Sequence, residues 1–275
     1  MPPQFISFGP LTLNLYTVLI ALAVLAPLAW AWLQARDGRI FTVALVAACF
    51  ALAFGRAGYV ALNWDYFREH TNEILSLAGL SEHGAIAGGV IAYCVLRLAS
   101  RVSRPASQSL NSQFSIFNFQ FILVGIAASI GCIPNGCAYG REVFWQTDGE
   151  HSLAWLLHAD WPDAYSISNP RWPTQMFMAG WLAVAGASWA VLTRGQGDRE
   201  TRRQGDRETR YNYCYPVPLS PLLLVTLSFA VGDFLIQFLR GDPAPVLAGL
   251  RIYQWFDLAL LAFATALLIL GTRRP

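Results

Sequence analysis

Six stretches of this chain, 11–33, 40–62, 114–133, 174–192, 219–239 and 252–270, are each about 20 residues long and almost wholly apolar. A helix crossing the roughly 30 Å hydrocarbon layer of a bilayer needs about that length. A seventh stretch, 84–99, is shorter, but Gly84, Gly88 and Gly89 suit it to close packing among neighbours. Only 13% of the 275 residues are charged and 55% are hydrophobic, against about 25% charged in an ordinary soluble domain. The pattern predicts an all-α, polytopic membrane protein: one domain over 1–275 with seven transmembrane helices. No positive charge precedes the first apolar run and no small-residue cleavage site follows it, so that run reads as a span and not as a removable leader.

Seven spans put the termini on opposite sides. One set of connections carries thirteen arginines, including six within 194–210, and the other set carries five. By the positive-inside rule the N-terminus faces outward and the C-terminus is cytoplasmic. The outer segments are then 63–83, 134–173 and 240–251, where Trp64, Trp145, Trp155, Trp161 and Trp172 suit the headgroup layer. Segment 134–173 is expected to lie at the interface, with a short helix around Ser152 to His158 as a lid. A charged octapeptide is duplicated, QGDRETRR at 196–203 and QGDRETRY at 204–211. Segment 193–215 therefore reads as a disordered cytoplasmic linker, and the Ser/Gln/Asn-rich 107–118 as another linker.

A net charge of +2 and the absence of lysine exclude a bulk basic surface for nucleic acid, P-loop chemistry and a Schiff base. Five cysteines, Cys49, Cys94, Cys132, Cys137 and Cys214, imply no disulfide framework. Cys132 and Cys137 read as a redox pair or as soft metal ligands, but the CxxxxC spacing has no companion His or Cys, and neither a metal nor a cofactor is expected.

Polar groups are costly inside a membrane, about +2.5 to +3.5 kcal/mol for a central Arg or Asp, yet Arg56, Asp233 and Asp257 fall within apolar runs. They are expected to face each other or water, as helix-fixing pairs or as a functional site. Asp257, near the outer end, also stands within reach of the interface. Ser81-Glu82-His83-Gly84 opens the third span with the one side chain that exchanges a proton near neutral pH. His83 is a cap or a base. The stretch Gly131-Cys132-Ile133-Pro134-Asn135-Gly136-Cys137-Ala138-Tyr139-Gly140-Arg141 breaks a helix at membrane depth, which is tolerated only inside protein or beside a polar cavity. A headgroup pocket is the expectation there.

Five patches, in order, carry a resemblance. They are Phe54-Gly55-Arg56-Ala57-Gly58-Tyr59; Glu82-His83-Gly84-Ala85-Ile86-Ala87-Gly88-Gly89; Asn135 to Arg141; Arg171-Trp172-Pro173-Thr174-Gln175; and Phe238-Leu239-Arg240-Gly241-Asp242-Pro243. In these patches and in its span count the chain resembles the prolipoprotein diacylglyceryl transferases, multi-pass enzymes of the bacterial inner membrane. The resemblance implies that the thiol of a lipobox cysteine attacks the glycerol carbon of phosphatidylglycerol and that glycerol phosphate leaves as a thioether forms. It implies that His83 is the base. Arg240, Arg141 and Arg56 would hold the phosphate, with Ser129, Asn135, Gly136, Tyr139, Gly140 and Gln175 around the lipid.

The departures are specific. Ser129 stands where the family signature has an arginine, Cys132 where it has an asparagine and Cys137 where it has a glutamate. In the sixth span Asp233 and Gln237 replace an arginine and a glutamate. Phe177-Met178 stands in place of Tyr-Glu. These leave two alternatives beside the transferase: a catalytically silent relative that binds a lipid or lipoprotein, and a transferase with another lipid or acceptor. A transporter built on Arg56, Asp233 and Asp257 lacks the inverted repeat it would need.

Overall fold

The computed structural model describes residues 5–8, 11–34, 38–75, 80–102, 107–144, 152–163, 165–205 and 220–272. Seven long helices each overlie one of the expected apolar runs: α1 (Leu15–Gln34), α2 (Gly38–Leu62), α4 (Glu82–Val102), α5 (Ser107–Asn135), α7 (Thr174–Gly205), α8 (Ser220–Ile236) and α9 (Ile252–Thr272). Between them lie two short helices, α3 (Trp64–Phe67) and α6 (Leu153–Leu157), and a 3-10 turn at Thr71–Glu73. Among the described residues one helical stretch, Ala44–Leu62, is both long and apolar enough to cross a membrane by itself, and Leu15–Ala29, Phe119–Asn135, Leu224–Ile236 and Ile252–Ala266 are shorter apolar stretches.

The fold is not purely helical. Three antiparallel hairpins join the helices: β1 (Phe5–Phe8) with β2 (Leu11–Asn14), β3 (Ala159–Pro162) with β4 (Ser168–Arg171), and β5 (Val246–Leu247) with β6 (Leu250–Arg251). Strands of two to four residues leave no periodic signal to read. Ala248 and Gly249, at φ 51° and 80°, make the two-residue turn between β5 and β6.

Helix ends differ from the apolar runs because capping, not hydropathy, sets them. The first helix starts at Leu15 and not at 11, since the Asn14 carboxamide accepts the Tyr16 amide at 2.8 Å. The third long helix begins at Glu82, where the Ser81 hydroxyl accepts the Gly84 amide at 3.2 Å. Helix α5 starts at Ser107, within the expected linker 107–118. Helix α7 runs on through the first octapeptide copy to Gly205, a segment expected to be disordered; Gln, Arg and Glu are good helix formers, so a helix already nucleated propagates through them. The rest of that linker, with Cys214, and also Trp145, lie outside the described residues.

The chain forms two compact units, Val24–Phe117 and Met1–Ala23 with Asn118–Pro275. In the first, α2 and α4 touch backbone to backbone: a Cβ on Gly84 would sit 2.4 Å from the Phe54 carbonyl oxygen and one on Gly88 2.4 Å from that of Phe50. This is small-residue packing of the kind that joins helices in lipid. In the second unit, α5, α7, α8 and α9 bury Leu182, Phe229 and Ala264 together with the polar Thr226, Asp233, Gln237, Gln254 and Asp257, and expose Val184, Leu235, Phe256 and Ile269. Exposed large apolar side chains with carboxylates buried beneath them suit apolar surroundings.

Gly88→Leu is expected to force α2 and α4 apart and to lower stability by upwards of about 1–3 kcal/mol. Gly180→Ala, where nothing lies within 4 Å, is expected to raise it by up to about 1 kcal/mol. Thermal unfolding in detergent would distinguish the two signs.

Candidate functional site

The second unit ends α5 in a tightly held turn. Pro134 stands in the last helical turn, and Gly136 and Ala138 follow at φ 61° and 54°. Gly136 suits that left-handed region; alanine there needs support from its surroundings. Support comes from several sides. The Cys137 amide donates to the Cys132 carbonyl at 3.1 Å. The Gln175 carboxamide donates to the Cys137 carbonyl at 2.9 Å, and the Thr174 hydroxyl to that of Ala138 at 2.7 Å. Cys132 and Cys137 form a disulfide, with Cα atoms 4.8 Å apart. That pairing adds a bond where the cysteine count implied no disulfide framework, and of the two readings of these cysteines it is the redox pair that is bonded: the left-handed step at Gly136 turns the chain back over its own helix end. Closing a six-residue loop this way stabilises by about 2 kcal/mol on the chain-entropy argument.

Asn135 and Gln175, read as donors to lipid, belong to this turn. Asn135 donates to the Gly131 carbonyl and accepts from Asn14, both at 2.8 Å. Gln175, 2% exposed, also accepts from Thr174 at 3.3 Å. Ser129, at the position of a family arginine, turns its hydroxyl back to the Gly125 carbonyl at 2.9 Å.

Beyond the turn the chain pairs with the residues after α8. The Arg141 amide donates to the Leu239 carbonyl and the Gly241 amide to that of Tyr139, each at 2.8 Å, so Gly140 faces Arg240 across a short antiparallel ladder. Gly140 is required there: a Cβ would lie 2.1 Å from the Trp172 carbonyl oxygen. Neighbours in a ladder point to opposite faces. Arg240 therefore leaves on the Gly140 face and Arg141 on the other. Arg240 makes a two-pronged pair with Asp242, at 2.8 and 2.7 Å, and lies over the Tyr253 ring at 5.7 Å. Arg251 reaches the same carboxylate at 3.0 Å and the carbonyls of Arg240 and Asp242 at 3.1 and 2.8 Å. Arg141 is exposed and makes no side-chain ion pair or hydrogen bond among the described residues.

Arg171 closes the floor of this region. Its guanidinium meets Glu142 at 2.7 Å and Asp163 at 3.1 Å and lies 5.0 Å from the centre of the Tyr139 ring. Burial alone would raise the Asp163 carboxyl, but the amides of Ile167 and Tyr165 and the Arg171 charge together hold it below the usual carboxylate range. The Tyr139 phenol is raised, first by burial and then by the charges of Asp163 and Asp242. Glu142, Asp163 and Arg251 carry no motif and were not foreseen. A short helix stands where one was expected, as α6, with Ser152 accepting the Trp155 amide at 3.1 Å.

In the other unit, His83 is buried in the first turn of α4. Ser81 anchors that turn by donating its amide to the Gly55 carbonyl of α2 at 2.9 Å. Arg56 is buried too: its Nε donates to the Ile74 carbonyl at 2.8 Å, a terminal nitrogen donates to that of Glu73, and Tyr59 and Phe67 flank it at 5.5 and 4.9 Å. It clasps the segment after the 3-10 turn. Asp257 is fully buried in α9 and does not reach an interface, because it lies on the side of α9 that carries Gln254. Asp233 accepts from Gln237 one turn on, at 3.0 Å.

Long helices that expose large apolar side chains and bury carboxylates, with a braced polar turn at one end, define an integral membrane protein. A sequence profile of the family described as prolipoprotein diacylglyceryl transferase matches residues 3–270. The chain belongs to that family of bacterial membrane enzymes. It is 30% identical over 275 residues to the phosphatidylglycerol–prolipoprotein diacylglyceryl transferase of Thermosynechococcus vestitus, covering 96% of this chain and 90% of that protein. Proteins of the same description from Nocardia farcinica and Dehalococcoides mccartyi are 27% identical over 297 residues and 28% over 154, covering 99% and 50% of this chain. The chain spans about half the length of those two relatives, 54% of each.

Asp163→Asn is expected to cost about 3–5 kcal/mol at neutral pH by leaving Arg171 underpaired. The wild-type carboxyl is lowered, so its contribution is present above the unfolded pKa near 3.9 and is lost as pH falls through the folded value. Unfolding curves of the two proteins should therefore converge in acid.

Proposed function

We propose that this chain transfers the diacylglyceryl group of phosphatidylglycerol to the thiol of a lipobox cysteine on a prolipoprotein. The reaction forms a carbon–sulfur bond at the glycerol carbon, breaks the carbon–oxygen bond to phosphate, and releases glycerol phosphate. The observation that carries this reading is the family match over residues 3–270, supported by His83, the Asn135–Arg141 turn and Arg240 standing where the resembled signature has its motifs. His83 takes the thiol proton, since the thiolate is the nucleophile. Arg141, exposed beside the braced turn, meets the phosphate, and Arg240, paired with Asp242 on the other face of the ladder, holds that ladder in place. Gly136, Tyr139 and Gly140 shape the backbone on which Arg141 stands. Asn135 and Gln175 brace that backbone. Arg56, with its donors on loop carbonyls, holds the outer segment around Ile74.

We place the reaction at the outer face of the bacterial cytoplasmic membrane, crossed seven times, with the N-terminus outside. Seven long helices, the arginine asymmetry of the connections, and a disulfide at the end of α5 support that arrangement, because disulfides persist on the oxidising side.

Purified protein in phosphatidylglycerol vesicles is expected to add a diacylglyceryl mass to the cysteine of a lipobox peptide. His83→Ala should lower the rate at least about 10²-fold, and Arg141→Gln about 10²–10³-fold. A second reading rests on Asp233 and Ser129 in place of arginines. Saturable phosphatidylglycerol binding with no mass added to the peptide would establish that silent, lipid-binding relative instead.

A further inference from the structure

We propose that the Cys132–Cys137 disulfide is a positioning element for lipid engagement: it holds the Asn135–Arg141 turn in the form that presents Arg141, and reduction releases that turn. The lipid half of this proposal rests on the function proposed above.

The turn has little preference of its own for its shape. Gly136 is conformationally free, and Ala138, at φ 54°, occupies a region that alanine leaves unless held. The holding groups act from two sides. Thr174 and Gln175 of α7 grip the carbonyls of Ala138 and Cys137. The disulfide ties Cys137 to the body of α5, closing a ring around Gly136. The Cys137 carbonyl and its sulfur thus hold one residue from opposite directions, between the two left-handed positions. With the sulfur tie cut, hydrogen bonds are all that oppose the return of Ala138 to ordinary backbone: those of the α7 side chains, of the Cys137 amide to Cys132 and of the ladder beyond.

Arg141 follows three residues after Ala138, and its amide is the ladder's hydrogen bond to Leu239. A turn that relaxes moves the base on which the guanidinium stands. Asn135 and Gln175 cannot compensate as ligands, since their polar groups are occupied within the same turn. Cys132 and Cys137 are both partly exposed, so a reductant reaches them. Reduction by a dithiol is balanced: the reagent closes to its own disulfide as Cys132 and Cys137 become thiols.

The test uses the full-length protein in detergent micelles in three forms: oxidised, reduced with dithiothreitol, and Cys132→Ser/Cys137→Ser. Amide exchange over 136–141 and affinity for short-chain phosphatidylglycerol are measured on each. Exchange is expected to rise at least tenfold and affinity to fall about tenfold in the reduced protein and in the variant. The variant should ignore dithiothreitol, and reoxidation should restore the wild type, which separates release of the turn from misfolding. Unchanged exchange, or exchange that rises with unchanged lipid affinity, overturns the proposal. Oxidised protein that binds lipid in this redox-dependent way yet transfers nothing to a lipobox peptide overturns the proposed reaction and leaves the positioning role standing. Oxidised protein that binds no phosphatidylglycerol overturns the functional reading, and the exchange measurement then decides alone whether the tie holds the turn.

Discussion

A helix that ends inside or beside a membrane leaves carbonyl groups that bulk water does not satisfy, and each must find a partner in protein. At the end of α5 that requirement is met by the Gly136 and Cys137 amides and the Asn135 carboxamide, on the carbonyls of Ile133, Cys132 and Gly131, and the carbonyls of the turn beyond are met by the Thr174 hydroxyl and the Gln175 carboxamide. Satisfying it draws the start of α7 against the α5 turn. Gly140 then admits the Trp172 carbonyl and pairs with Arg240, so the chain after α8 joins the same junction. Every other polar feature of this unit is built outward from that meeting of three backbones.

The arginines show how the junction is charged. Arg171 is matched by Glu142 and Asp163, and Arg240 shares Asp242 with Arg251. Buried charges of this kind are tolerated when paired and donated to, and breaking one pair leaves a costly remnant. Arg56 donates to two loop carbonyls and lies against two aromatic rings. Arg141 stands apart as an exposed guanidinium beside these committed ones. A preorganised surround with an uncommitted cation at its edge is what an anionic headgroup needs.

The residues at which this chain differs from the resembled signature are engaged locally. Cys132 and Cys137 are bonded to each other, and Asp233 accepts from Gln237 one helical turn away. The Ser129 hydroxyl turns inward to its own helix. The Gln237 carboxamide oxygen is buried with no hydrogen-bond partner among the described residues.

Seven long helices could be read from the apolar runs because burial in lipid demands about twenty consecutive apolar residues, a local property of the chain. The helix ends could not, since they depend on one capping side chain such as Asn14 or Ser81. The residues around the break after α5 were legible as a motif, and Arg141 and His83 with them. Their division of labour was not: Asn135 and Gln175 looked like ligands because sequence reports a polar group without its partner. The Glu142–Arg171–Asp163 triad and the Asp242–Arg251 pair join residues eight to twenty-nine apart with no pattern between them. The disulfide waited on a single left-handed step at Gly136. Composition and periodicity determined on their own that the chain is a helical membrane protein. Which polar groups face one another was decided only in three dimensions, because hydrogen bonds act over about 3 Å of space and take no account of distance along the chain.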